Sequence, residues 1–149
     1  MPVIAVNRRA LFDYEILEAY EAGIVLTGQE VKAVKTGHIN LQGAFVVIRN
    51  DEAWLLNAHI PPYQTANAPS GYDPDQSRKL LLNRKELSAL PGKTSQKGLT
   101  LVPLRVYTKK GFVKVEIGLA RHRKKHDKRE LIKRRDAERE IQGDDANIS

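Results

Sequence analysis

The chain has no cysteine at any of its 149 positions. Disulfides, thiolate-bound zinc and cysteine catalysis are therefore excluded, and a reducing compartment fits. Long apolar runs are missing as well. No stretch approaches the roughly 18 residues of a membrane span, and positions 1–9 lack the apolar run of a secretory signal. The cytoplasm is the expected location, with no membrane partner. Aromatic residues are few: five Tyr, three Phe and one Trp. A general single-strand binder needs aromatics on exposed strand faces, whereas Trp54 falls in an apolar run where core packing is expected. Familiar catalytic strings are absent too, with no Gly-Lys-Ser/Thr phosphate loop, no Gly-x-Ser-x-Gly and no His-Glu-x-x-His. His122, His126 and Asp127 carry metal-binding atoms, but five basic residues between Arg121 and Lys128 would repel a cation. An enzyme, a cofactor and a metal site are all unexpected.

Acid is in the minority. Twenty-five Lys and Arg face 18 Asp and Glu, for a formal charge of +7 and a pI near 9.7. Such a balance points to a polyanion as partner, nucleic acid first. The length suits one domain plus a tail and allows roughly two thirds of the unfolded surface to be buried, so no covalent staple is needed. Residues 1–120 read as globular. Residues 121–149 differ: between Arg121 and Glu140 lie ten Lys or Arg and five acids, and the apolar residues of the tail up to 141 are Leu131, Ile132, Ala137 and Ile141. Few as they are, they could not dock a helix firmly, although Lys, Arg and Glu favour helix.

Two hairpins are legible within the globular part. The runs 44–49 and 53–60 flank the turn pair Asn50-Asp51, and 99–107 and 112–119 flank Lys109-Lys110-Gly111. In the last strand, Val113, Val115 and Ile117 share one face, so Lys114 should point outward. Residues 79–82 read as a short buried strand after a loop that includes 68–74. Thr27 with Glu30 three residues later is a capping box, with Gly37 as a stop. On that reading Glu30→Ala should cost about 1 kcal/mol or less. Asn83 with Glu86 repeats the pattern, and Pro91-Gly92 should end that helix. The segment 10–22 is ambiguous. Leu11, Tyr14 and Leu17 have helical spacing, while Tyr14 and Ile16 begin a strand alternation; the pattern slightly favours helix. Many short strands separated by turn signals predict a mainly β fold, a compact barrel with small helices on its rim.

Several strings carry a more specific signal. Asn7-Arg8-Arg9-Ala10, Asp13-Tyr14, Glu21-Ala22-Gly23-Ile24-Val25-Leu26 and Gly28-Gln29-Glu30-Val31-Lys32 open the series. Asp73-Pro74, Arg78-Lys79-Leu80-Leu81-Leu82, Val102-Pro103-Leu104 with Tyr107, Lys114-Val115-Glu116-Ile117-Gly118-Leu119-Ala120 and Asp127-Lys128-Arg129-Glu130 continue it in order. From about residue 4 to 140 this series resembles the SmpB family, the SsrA-binding proteins. The resemblance implies an OB-like Greek-key β-barrel with short helices and a basic C-terminal tail, and a strand rather than a helix over 14–26. It implies an adaptor that acts as a monomer, binds the tRNA-like part of transfer-messenger RNA (tmRNA) and delivers it to stalled ribosomes. The tail of such proteins is disordered when free and helical in the decoding site and empty message channel. The positions implied for RNA contact are Glu21, Lys32, Arg78, Lys79, Leu81 and Lys114. Those implied for the ribosome are Arg123, Lys124, Lys125, His126, Asp127, Lys128 and Arg129. The chain departs from the family pattern in having His122 where a glycine is usual, Gln76 where a second arginine is common, and an acidic, short end from Gly143 to Ser149.

Overall fold

Both hairpins form where two consecutive residues take left-handed backbone. Asn50 and Asp51 have φ of 50° and 61°, and Lys110 and Gly111 have 52° and 82°. Two such residues make the tight turn whose twist matches that of paired strands. The first turn joins β3 (Phe45–Arg49) to β4 (Glu52–Leu56), closing on the pair Arg49 and Glu52. The second joins β6 (Leu99–Lys109) to β7 (Phe112–His122), closing on Lys109 and Phe112. The structure, a computed structural model, describes residues 2–64 and 71–148, with side chains up to Ala137. Part of the loop expected around 68–74 thus lies outside the described residues.

The remaining elements are β1 (Val3–Val6), α1 (Arg8–Asp13), β2 (Tyr14–Ile24), α2 (Gly28–Lys35), β5 (Arg78–Leu81), α3 (Arg84–Thr94) and α4 (Lys125–Ile148). Strand order is β1-β6-β3-β4-β5-β2-β7, and β7 also pairs with β6. Six strands therefore close into a ring, with β1 attached to β6, and every pairing is antiparallel. This is the mainly β, OB-like barrel with short helices that the turn pattern and the resemblance predict. Closure leaves the ring strands without free edges. Leu55, Leu80, Leu101, Val106, Val115 and Ile117 fill the interior, and Val34 of α2 and Leu90 of α3 are fully buried with them.

The ambiguous segment divides. Asn7 caps α1 by accepting the Ala10 amide at 3.1 Å, and the helix ends at Asp13. From Tyr14 on, nine residues pair with β7, so the ladder overrides the helical spacing of Leu11, Tyr14 and Leu17. A register shift between Ile16 and Glu18 leaves Leu17 exposed. Two other expectations are corrected. Helix α3 does not stop at Pro91 but runs to Thr94. Proline removes one intrahelical bond, yet Leu90 anchors the turn in the core, and the Thr94 hydroxyl reaches the Leu90 carbonyl at 3.0 Å. Trp54 does not face the core. Its neighbours Ala53 and Leu55 are fully buried, so strand alternation turns the indole to the outer surface, where it is half-buried.

Gly118 shows how tightly the barrel closes near α1. A Cβ there would lie 2.9 Å from Leu104 Cδ1 and 3.2 Å from Ile16 Cγ2. Leu104 is itself buried, so it has little freedom to retreat. Gly118→Ala should cost about 1–3 kcal/mol through overpacking, read by chemical denaturation.

Candidate nucleic-acid interface

The end of β2 is held between two strands. Gly23 lies opposite Leu81 of β5 on one side and Lys114 of β7 on the other. Lys114 sits between buried Val113 and Val115, so its side chain points outward as expected. Leu81 is half-exposed on the same outer surface. A Cβ on Gly23 would lie 3.4 Å from Leu81 Cβ and 3.7 Å from Lys114 Nζ. Gly23 thus brings the backbone of β2 within van der Waals reach of both Leu81 and the Lys114 ammonium.

Glu21 is two residues back along β2 and shares this face. It is not a lone solvated acid. Its carboxylate accepts the Tyr107 hydroxyl at 2.6 Å and lies 3.3 Å from Lys109 Nζ. The Tyr107 bond, then Lys109 and Lys114, hold the Glu21 carboxyl below the usual carboxylate range. Burial, together with Glu21, pushes the Tyr107 phenol up. Glu21 therefore holds a neighbouring cation, Lys109, on the outer surface. Beside it, Arg105 and Glu116 pair across β6 and β7 at 3.4 Å. Lys79 projects from β5 and is ion-paired with Glu52 at 3.2 Å. Lys32 is exposed on α2, outside this set of paired strands.

Arg78 requires a correction. It is only 2 % exposed, and its guanidinium lies 2.7 Å from the equally buried Glu30. It also donates to the Ala58 carbonyl at 2.6 Å and the Pro74 carbonyl at 2.9 Å. A guanidinium so enclosed, with its donors committed to internal acceptors, presents no group to a phosphate outside. Gln76 belongs to the same cluster, donating to Glu30 at 3.1 Å, as does the Tyr72 hydroxyl at 3.2 Å. Gln76, one of the positions where the chain departs from the pattern that the resemblance implies, thus completes an internal network. The capping box does form, with Thr27 and Glu30 bonded reciprocally, but it is only part of what Glu30 does.

The root of the tail is built into the barrel. Strand β7 continues two residues past the expected boundary at 120, with Arg121 and His122 paired to Glu15 and Tyr14. The His122 ring packs edge-on against Tyr14 at 5.1 Å, a contact that glycine could not make. The Arg123 amide then donates to the Asp13 carbonyl at 2.7 Å. Lys124, Lys125, His126, Asp127 and Arg129 are exposed. Lys128 is the exception, lying 2.9 Å from the Asp13 carboxylate and, with Arg135, over the Phe12 ring at 5.6 and 5.4 Å. The Lys128 bond, ahead of Arg9, holds the Asp13 carboxyl below its ordinary value. The parts that residue-by-residue reading overlooked are Lys109, Gly23, Phe12 and Asp13. In the sequence, Lys109 stands in a turn doublet, while Asp13 and Gly23 appear only as members of the strings quoted above.

Comparison with known proteins agrees with the strings quoted above. The family model described as "SmpB protein" matches residues 4–146. An SsrA-binding protein of Gloeothece citriformis is 56 % identical over 140 residues, covering 94 % of this chain and 90 % of its own. One from Acaryochloris marina is 54 % identical, with 94 % and 91 % covered. A solved structure described as "tmRNA-SmpB: a journey to the center of the bacterial ribosome" superposes with a TM-score of 0.68 at 46 % identity. It covers 89 % of this chain and 95 % of that one.

Proposed function

The chain belongs to the SmpB family of SsrA-binding proteins, and from that membership we infer an RNA-binding adaptor that binds tmRNA and serves trans-translation on the ribosome. It acts by binding, not by catalysing bond changes, as a monomer in the cytoplasm. Among the described residues, no helix is long and apolar enough to cross a membrane. The observation that carries the reading at residue level is the meeting of Glu21, Leu81 and Lys114 on one outer face around Gly23. Lys114 pairs with a phosphate of the tRNA-like part. Leu81 supplies an apolar contact to a ribose or base. Glu21 fixes Tyr107 and Lys109 so that the hairpin keeps its place against the RNA. Lys79 and Lys32 add cationic charge that strengthens attraction without reading sequence. Arg78 supports this face from inside through Glu30. Residues 123–129 enter the decoding site, and the rest of the tail enters the empty message channel. The RNA and the barrel together imitate a tRNA, with protein in place of the anticodon arm.

Binding measured against salt tests this reading. The protein should prefer the tRNA-like part of tmRNA strongly over duplex DNA of equal length, and affinity should fall steeply with salt as counterions are released. Lys114→Ala should weaken RNA binding and lower the salt slope by about one. Its melting temperature should hardly move, since such surface changes usually stay within about 0.5 kcal/mol. Equal affinity for DNA, or a Lys114→Ala protein that melts early yet binds normally, would refute it.

A further inference from the structure

We propose that the tip of the β6–β7 hairpin is a base-stacking platform: Phe112 holds one unpaired base of the bound RNA, flanked by Lys109, Lys110 and Lys114. The proposal rests on the RNA-binding reading above and extends its surface beyond Glu21, Leu81 and Lys114. Phe112 is 70 % exposed, whereas the next most exposed large apolar residue among those described, Val3, is 55 % exposed. An aromatic ring left this open has no packing role in the barrel. Its position is well defined nonetheless. Phe112 pairs with Lys109 as the last rung before a two-residue turn, and Lys109 is tied to Glu21 at 3.3 Å. Phe112 and Lys114 are two residues apart on one strand, so they share a face about 7 Å apart. A flat apolar ring thus stands beside ammonium groups, on the surface where RNA is inferred to lie.

That combination suits an unstacked nucleotide. A π face accepts any base without hydrogen-bond readout, while nearby cations neutralise the adjoining phosphates. Bases within a helix are already stacked, so the occupant is a base in a loop or bulge. An apolar protein partner fits less well, because the cores of protein interfaces are depleted in lysine.

The test uses the full chain and the tRNA-like part of tmRNA, with binding measured across salt concentrations. Phe112→Ala should weaken binding roughly 5- to 100-fold with an unchanged salt slope, because every cation that meets a phosphate remains. Lys114→Ala should lower the slope instead. Phe112→Trp should retain affinity. Trp54 is the single tryptophan, so Phe112→Trp in a Trp54→Phe background places one indole at the tip. Its fluorescence should be quenched when RNA binds, and this readout serves even if Phe112→Ala folds poorly. Normal binding by Phe112→Ala together with an unquenched indole overturns the platform, while a weakened Lys114→Ala would leave the RNA-binding face standing. If neither variant weakens binding, the RNA-binding face itself is wrong. If Phe112→Ala binds RNA normally but associates poorly with ribosomes, the tip docks on the ribosome and the platform is equally overturned.

Discussion

Glu30→Ala should destabilise the barrel by about 3–5 kcal/mol, several times the roughly 1 kcal/mol of a lost helix cap. The reason is what remains behind. One carboxylate oxygen accepts the Thr27 amide at 3.0 Å, and the other accepts from Arg78, Gln76 and Tyr72. Removing it strands a buried guanidinium with no counter-charge. Native domains have only about 5–15 kcal/mol to lose, so a visible unfolded fraction is expected on mild warming. Chemical denaturation should show a lowered midpoint with an unchanged slope. The double change Glu30→Leu with Arg78→Met should recover most of the loss, because a buried pair replaced by apolar residues of similar volume is often neutral. A loss near 1 kcal/mol, or fully additive single changes, would mean the pair is not coupled as described. Acidity gives a second check. Burial pushes the Glu30 carboxyl up, but the Thr27 amide, Arg78 and Gln76 together hold it below its ordinary 4.5. A depressed native pKa contributes stability that is complete above the unfolded value and is lost as pH falls through the native one. The gap between wild type and Glu30→Ala should therefore be constant above about pH 5 and narrow as the pH drops below 4.5.

Deleting residues 125–149 should abolish peptide tagging of stalled ribosomes while leaving a folded protein that still binds the tRNA-like RNA. The cut belongs after Lys124 rather than at 120, because Arg121 and His122 complete the ladder with β2 and the Arg123 amide is bonded to Asp13. Among the described residues, all seven strands and the buried core lie before it. What the cut uncovers on the barrel is the side of Asp13 and Phe12 on which Lys128 and Arg135 rest. Seven of the 25 basic residues leave: Lys125, Lys128, Arg129, Lys133, Arg134, Arg135 and Arg139. RNA affinity should drop modestly and depend less steeply on salt, whereas the face around Gly23 is untouched. A reconstituted translation system run beside the binding assay separates the two halves. Normal tagging by the shortened protein would reduce the tail to a solvated arm. In the full chain, His126→Ala should impair tagging more than RNA binding, since that exposed ring lies outside the barrel face.

The local signals were legible in the sequence because local chemistry alone decides them. Asn50-Asp51 and Lys110-Gly111 tolerate left-handed backbone, Thr27 and Asn83 offer capping oxygens, and Val113, Val115 and Ile117 alternate along β7. These suffice for two hairpins, two capped helices and an outward Lys114, and the strings around them suffice for the family. What only the tertiary structure decided is which side of a strand faces in when composition does not say. In β5 the charged Arg78 is buried and the apolar Leu81 exposed, the reverse of what residue type suggests. Arg78 can be buried because Glu30, 48 positions away, meets it inside. Leu81 and Trp54 are turned outward because Leu80, Ala53 and Leu55 take the interior. Likewise 14–24 became a strand because β7 arrived to pair with it, and Glu21 gained its partners because β6 brought Tyr107 and Lys109 from 86 and 88 positions away. Ring closure fixes all of these at once, and a pairing between distant segments leaves no trace in either segment read alone.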